Sequence, residues 1–256
     1  SYYKWTHRKE TEKERLDWEL SQIVLEYFEQ SGHELGYRQM ALQINYFNQT
    51  HYNPKRIRRL MRLMGIASCI RRMRKGYIKS TPQVTAENVL NREFKAERPN
   101  QRWVSDVTEF HVDGSKLYLC GIKDLCDGSI ISIHHSRIND NRLVYTTFDQ
   151  AVEANPDAKP LVHSDRGFQY THKDFKKRLD RIGATQSMSR VGRCIDNSPM
   201  ESFWGTLKCE MKHMFPFRTI DELIQSIELY ISYYNNERCQ KKRKGLPPMI
   251  YRQQAI

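Results

Sequence analysis

The chain has 256 residues, of which 39% are hydrophobic and 28% charged, and it carries a net charge of +12. That length holds one substantial core plus a smaller domain, and the composition excludes a disordered or collagen-like chain. No apolar run approaches the length of a bilayer span and no signal-peptide pattern opens the chain, so we expect no membrane partner and a cytoplasmic location.

The six cysteines, Cys69, Cys120, Cys126, Cys194, Cys209 and Cys239, form no Cys-x-x-Cys pair and are read as reduced thiols. A start at Ser1 rather than Met is read as the mark of a fragment or a processed product.

In chain order, Leu16, Leu20, Ile23, Val24 and Tyr27 recur at helical spacing within residues 9 to 31, and "SGHELG" breaks the pattern. A second helix is predicted from Tyr37 to Phe47. A third begins in "NPKRIRRLMRLMG", with Asn53 as cap, Pro54 at the first position and Gly65 as stop. Three short helices with a basic third one have the form of a helix-turn-helix DNA-binding domain over residues 1–67, in which Arg56, Arg58, Arg59 and Arg62 reach DNA. A small helical adaptor with a basic face has the same pattern.

From Leu35 to Ala86 there is no acidic residue, against eleven Lys and Arg. A solvated helix face normally mixes signs, so this segment points to a polyanion, and nucleic acid is the obvious one. Residues 68–99 are read as an extended basic linker whose Arg71, Arg72, Arg74 and Lys75 join the DNA contacts.

Beyond the linker, in residues 100–256, the period changes. "RWVSDVTEF", "KLYLCGIKDL" and "SIISIHHS" alternate as strands, with "DGSK" and "CDGS" as turns. A helix follows from about Asp140 to Val152, then the strand "PLVHSD", a helix from about His172 to Ile182, and the strand "ATQSM". In "IDNSPMESFWGTLK" the residues Met200, Phe203, Trp204, Leu207 and Met211 form the buried face of a further helix, and Ile220 to about Asn235 forms the last. This order gives an α/β fold, a mixed five-stranded sheet covered by helices.

Three carboxylates stand out in that layout. Asp106 lies inside the first strand among apolar neighbours, where an unpartnered carboxylate is expensive. Asp165 ends the fourth strand, where α/β sheets build their sites, although Asp-Arg-Gly is also a plausible turn. Glu201 follows Ser198 and Pro199 and reads equally as the closing member of a capping box and as a ligand. Between Asp165 and Glu201 lie 35 residues, a separation that arises by accident about once in a chain of this composition, so context must decide.

With these residues in these elements the chain resembles the catalytic core of the retroviral-integrase superfamily, an RNase H-like fold with an Asp, Asp, 35-residue gap, Glu triad. It most resembles the insertion-sequence transposases of the IS-three family, OrfB or OrfAB type, through "AERPNQRWVSDVTEF", "LYLCGIKDLCDGSIIS", "LVHSDRGFQYT", "SMSRVGRCIDNSPMESFWGTLKCE" and "YYNNERCQKKRKGLPPMIY". The closing stretch departs from the usual pattern at Arg238-Cys239-Gln240 and Pro247-Pro248.

The resemblance implies a phosphoryl-transfer enzyme that binds element ends and target DNA, cuts at 3′ ends and transfers strands. It implies two Mg²⁺ ions, replaceable by Mn²⁺, with Asp106 bridging both and Asp165 and Glu201 each holding one. In-line displacement at phosphorus uses such a pair about 3.5 to 4 Å apart, and Mg²⁺ takes oxygen ligands. Lys208 matches the basic residue two turns after the family's Glu, and helical spacing puts Lys208, Lys212 and Gly205 on the face of Glu201. Arg190 and Arg193 flank Gly192 in a loop that reads as a cover of the site or as a plain connection. At least a homodimer is expected, because two ends must meet. The alternatives are a metal-dependent DNA nuclease of the same fold that does not join, and a DNA-binding regulator without activity.

Overall fold

The computed structural model describes residues 11–70, 86–190 and 194–254. The chain forms two compact units, Ser1–Arg72 with Cys239–Gly245, and Met73–Arg238 with Leu246–Ile256. Arg71, Arg72, Arg74, Lys75 and Arg193 lie outside the described residues.

The first unit holds helices α1 (Glu12–Gln30), α2 (Tyr37–Phe47) and α3 (Pro54–Leu63). A capping box of Thr11 and Glu14 starts α1, and Asn53 accepts from the Lys55 amide (2.8 Å) to start α3. Leu20, Val24 and Phe28 of α1 meet Met40, Ala41 and Ile44 of α2 and Ile57, Leu60 and Met61 of α3 in one core. The apolar stripes read from the sequence thus face inward, except that Leu16 is exposed. Arg56 and Arg59 turn to Asp17, while Arg58 and Arg62 stay exposed, Arg58 lying over the Tyr37 ring at 5.4 Å.

The second unit is built on β1 (Arg102–Val112), β2 (Ser115–Asp124), β3 (Ile130–Ser136), β4 (Leu161–Ser164) and β5 (Thr185–Met188), in the sheet order β3-β2-β1-β4-β5. Its first three strands are antiparallel, and β4 runs parallel to both β1 and β5. Asp113 and Gly114 turn β1 into β2 with φ of 48° and 69°, the left-handed pair that matches strand twist.

Helices α4 (Asn141–Ala154), α5 (Phe168–Thr171) and α6 (Lys173–Arg181) belong to one face, and α7 (Ser198–Met214) and α8 (Ile220–Asn236) to the other. Because strand side chains alternate, Trp103 joins Phe148 and Phe175 on the first face while Val104 joins Met200 and Trp204 on the second. The short α5 and the closing helix α9 (Pro248–Gln254) were not read from the sequence.

Residues 86–99, included above in the linker, pack on this unit. Leu90 is buried, its amide donates to Ser187 Oγ (3.0 Å), and the Met188 amide donates to the Glu87 carbonyl (3.2 Å).

Candidate active site

The pairing of β1 with β4 places two of the carboxylates. Val104 pairs with His163, and the same offset carries Asp106 opposite Asp165 just past the end of β4. Both residues share the side-chain parity of Val104, so they belong to the face on which α7 packs. At the start of α7 stands Glu201, half-buried, in the first helical turn. The three carboxylates therefore lie toward the carboxyl end of the parallel strands, the place where open α/β sheets form sites.

Local structure corrects one expectation. Ser198 is the first residue of α7 rather than its cap: a 3₁₀ turn, Cys194–Asn197, runs straight into the helix, and Asn197 makes no side-chain cap bond. Its side chain instead donates to the Ser105 carbonyl (3.2 Å), tying the helix start to β1. The tertiary contact outcompetes the local capping signal.

Burial raises Asp106 to about 8, Asp165 and Glu201 add to the rise, and hydrogen bonds from the Val107 backbone and the Trp204 indole (3.2 Å) work against it. Asp165 is open to solvent as a residue, yet the protein packed around its carboxyl raises its pKa, against the Gly167 amide that donates to Oδ1 (2.9 Å). The turn and the site readings of Asp165 are thus compatible.

Asp165 and Glu201 lie close enough to Asp106 to disfavour its charge, and the interactions that resist this come from neutral donors. An all-oxygen donor set of this kind fits a hard divalent ion, whose charge relieves the repulsion. Among the described residues no group of three His, Cys, Asp or Glu is already gathered around one ion position.

The support beneath the carboxylates was not legible in sequence. Asp106 pairs with Gly121, where an added Cβ would stand 2.8 Å from Met200 Cε and 3.0 Å from Trp204 Cη2. The methionine tip can move, but the indole is fixed by its bond to Asp106. Gly121→Val is expected to push α7 off the sheet, costing about 1–3 kcal/mol in thermal melts and lowering activity with it. His163 is buried between Ser187 Oγ (2.9 Å) and Ser189 Oγ (3.2 Å), and burial lowers it to about 4, so it stays neutral at pH 7 and braces β4 against β5 and the segment after it.

Lys208 is exposed, donates to the Glu109 carbonyl (2.8 Å) and lies over Phe110 at 5.0 Å; desolvation lowers its pKa while Glu109 and Asp106 raise it. Lys212 and Gly205 are also exposed, and nothing stands within 4 Å of a Cβ built on Gly205.

Arg190 is committed to Asp196, which also accepts from Arg92 and Asn88 and is fully buried. Burial raises the Asp196 carboxyl, but the side-chain and backbone bonds from Arg190 and the bond from Arg92 outweigh it, leaving it well below the ordinary range. A depressed folded-state pKa stabilises the fold above the unfolded value, about 3.9, and loses that contribution as pH falls below it. Asp196→Asn should therefore cost about 3 kcal/mol at pH 7, and the gap to the parent chain should close below about pH 4 in urea unfolding.

No helix among the described residues is long and apolar enough to cross a membrane. The chain matches the family described as "Integrase core domain" over residues 96–194, a second family of that description over residues 201–256, and "HTH-like domain" over residues 15–75. It is 39% identical to the protein InsK of Escherichia coli, assigned as the transposase of insertion sequence element IS150, over 91% of this chain and 82% of that one. It is 40% identical to a transposase-like protein of Haemophilus influenzae, over 80% of this chain and 94% of that one. Among solved structures, the catalytic core domain of HTLV-2 integrase in complex with magnesium shares the fold, with a TM-score of 0.50 and 18% identity over 60% of this chain and 97% of that one.

Proposed function

The chain belongs to the insertion-sequence transposases that carry an integrase core, and we propose that it binds the ends of its element, nicks their 3′ ends and joins the freed strands to target DNA. It is a DDE polynucleotidyl transferase, an enzyme of phosphoryl transfer on DNA. The observation that carries the reading is the strand offset that sets Asp106 beside Asp165 under the helix start that bears Glu201.

Asp106, Asp165 and Glu201 would hold the Mg²⁺ ions, and two such ions supply an activated attacking oxygen and a stabilised leaving oxygen. The Trp204 indole and the Gly167 amide orient two of the carboxylates before any ion arrives. Lys208, which already feels the Asp106 charge, would hold the DNA backbone beside them. Arg58 and Arg62, which are exposed, would face DNA from the helical unit, with Arg56 and Arg59 held in place by Asp17. Two protomers would bring two ends together, in the cytoplasm where the element's DNA lies.

The test is a labelled duplex carrying the end that flanks this gene, incubated with the full chain and Mg²⁺ or Mn²⁺. Nicked and joined products that disappear on chelation support the proposal. Nicking without any joined product would reduce it to a nuclease, and binding without strand chemistry to a regulator.

A further inference from the structure

Outside the three carboxylates, the second unit gathers two guanidinium groups on a single anion, with a third bonded to a backbone carbonyl next to them. Buried Asp196 accepts from Arg92 Nε (2.7 Å), Asn88 Nδ2 (2.9 Å), and both the backbone amide (3.0 Å) and Nε (3.1 Å) of Arg190. Arg166 Nε donates to the Ser189 carbonyl next door (2.6 Å), and its buried Nη1 has no hydrogen-bond partner among the described residues. One carboxylate thus serves two cations, with a third adjacent. The Arg92 and Arg190 side chains remain 37% and 43% exposed, so both reach the surface while paired with Asp196.

The backbone is shaped for this arrangement. Asn91 and Arg92 both adopt left-handed conformations, with φ of 43° and 64°. Side chains larger than glycine seldom do so, and such strain persists only where surroundings enforce it. Here the Asn91 amide donates to Asn88 Oδ1 (2.8 Å) and the Glu93 amide to the Leu90 carbonyl (2.8 Å), closing a turn that delivers Arg92 to Asp196.

The position is beside the chemistry. The Ser189 amide donates to the Ser164 carbonyl (3.0 Å), which sets Arg190 against the strand end that Asp165 follows. Asp196 lies in the 3₁₀ turn that runs into the helix of Glu201.

We propose that Arg92 and Arg190, aimed by Asp196 and joined by Arg166, form a clamp for one backbone phosphate of DNA lying beside the carboxylates. Asp196 is then a positioning residue, and the clamp is preorganised because its arginines are already fixed. The inference rests on the transposase reading, since it needs DNA at this end of the sheet.

The experiment measures the affinity of the full chain for a fluorescein-labelled element-end duplex as a function of salt. The parent is compared with Arg92→Gln/Arg190→Gln, Arg92→Lys/Arg190→Lys and Arg166→Gln. Loss of a phosphate contact should weaken binding by about tenfold and make the log affinity against log salt slope shallower by about one. The Lys pair should keep the slope. Arg166→Gln touches no bond to Asp196, so it reports on the clamp even if the double Gln variant fails to fold.

A parent that binds and nicks the duplex, beside unchanged slopes in both Gln variants, overturns the clamp alone. A parent that neither binds nor nicks ends the transposase reading and the clamp with it.

Discussion

Asp106→Asn, Asp165→Asn and Glu201→Gln should each lower metal-dependent nicking of element-end DNA by at least about a thousandfold, the several kcal/mol of barrier that metal ions supply in such reactions. Duplex affinity should stay within about twofold, because most basic groups expected to hold DNA lie elsewhere. Pairs of these substitutions should cost little more than single ones, since groups that act as a unit are not additive. None should lower the melting temperature, because each replaces a carboxyl with a neutral amide of nearly the same shape, and at Asp106 burial first and then Asp165 and Glu201 already disfavour the charged form. Gel-resolved nicking rates, duplex-binding titrations and melting curves on the same samples check all four statements.

The largest expected effect on stability lies far from the carboxylates in sequence. Arg252 of α9 pairs through Nη1 with Asp124 (3.2 Å) and Asp127 (2.7 Å), both fully buried, and through Nη2 with the side chains of Asn100 (2.9 Å) and Asn155 (3.0 Å). The closing helix thereby ties the start of β1, the turn after β2 and the end of α4. Arg252→Ala would leave two carboxylates buried without their cation, a change that costs about 3–5 kcal/mol and lowers the melting temperature of a unit this size by about 10 °C.

Burial and then Asp127 already raise the Asp124 pKa, so without Arg252 Asp124 gains a proton more readily in the fold than in the unfolded chain. The stability of Arg252→Ala should consequently rise as pH falls toward 5, and Asp124→Asn with Asp127→Asn should recover part of the loss at pH 7. Melting curves across that range measure both.

Much of the second unit was legible because its signals are local. Alternation marked β1, β2 and β3, the Asp113-Gly114 pair marked a turn, which the structure makes with left-handed residues, and the stripe from Met200 to Met211 is the buried face of α7. The sheet order and its integrase-like fold agree with the resemblance carried by the motifs around Asp106, Asp165 and Glu201.

What stayed hidden depends on partners distant in sequence. Trp204 reads as core and is core, yet its indole also donates to Asp106. Gly121 looks like an ordinary strand glycine, and only the packing of α7 shows why a side chain is not tolerated there. Leu90 was read inside a linker because its mixed-charge segment shows no helical or strand period, and only the bond of its amide to Ser187 shows that it packs on the sheet edge. Ser198 carries a good capping signal that the Asn197 bond to β1 overrides. Each is a tertiary contact with no period to betray it.

The account stands on Asp165 being a ligand of the ion that cuts DNA, and the most direct measurement is the Mn²⁺ to Mg²⁺ ratio of nicking rates for Asp165→Cys against the parent chain. A thiolate suits softer ions than a carboxylate does. The ratio should rise by about a hundredfold or more if residue 165 holds the ion, of the order seen when metal ligation is disturbed. An unchanged ratio, with nicking retained in Mg²⁺, would contradict the account.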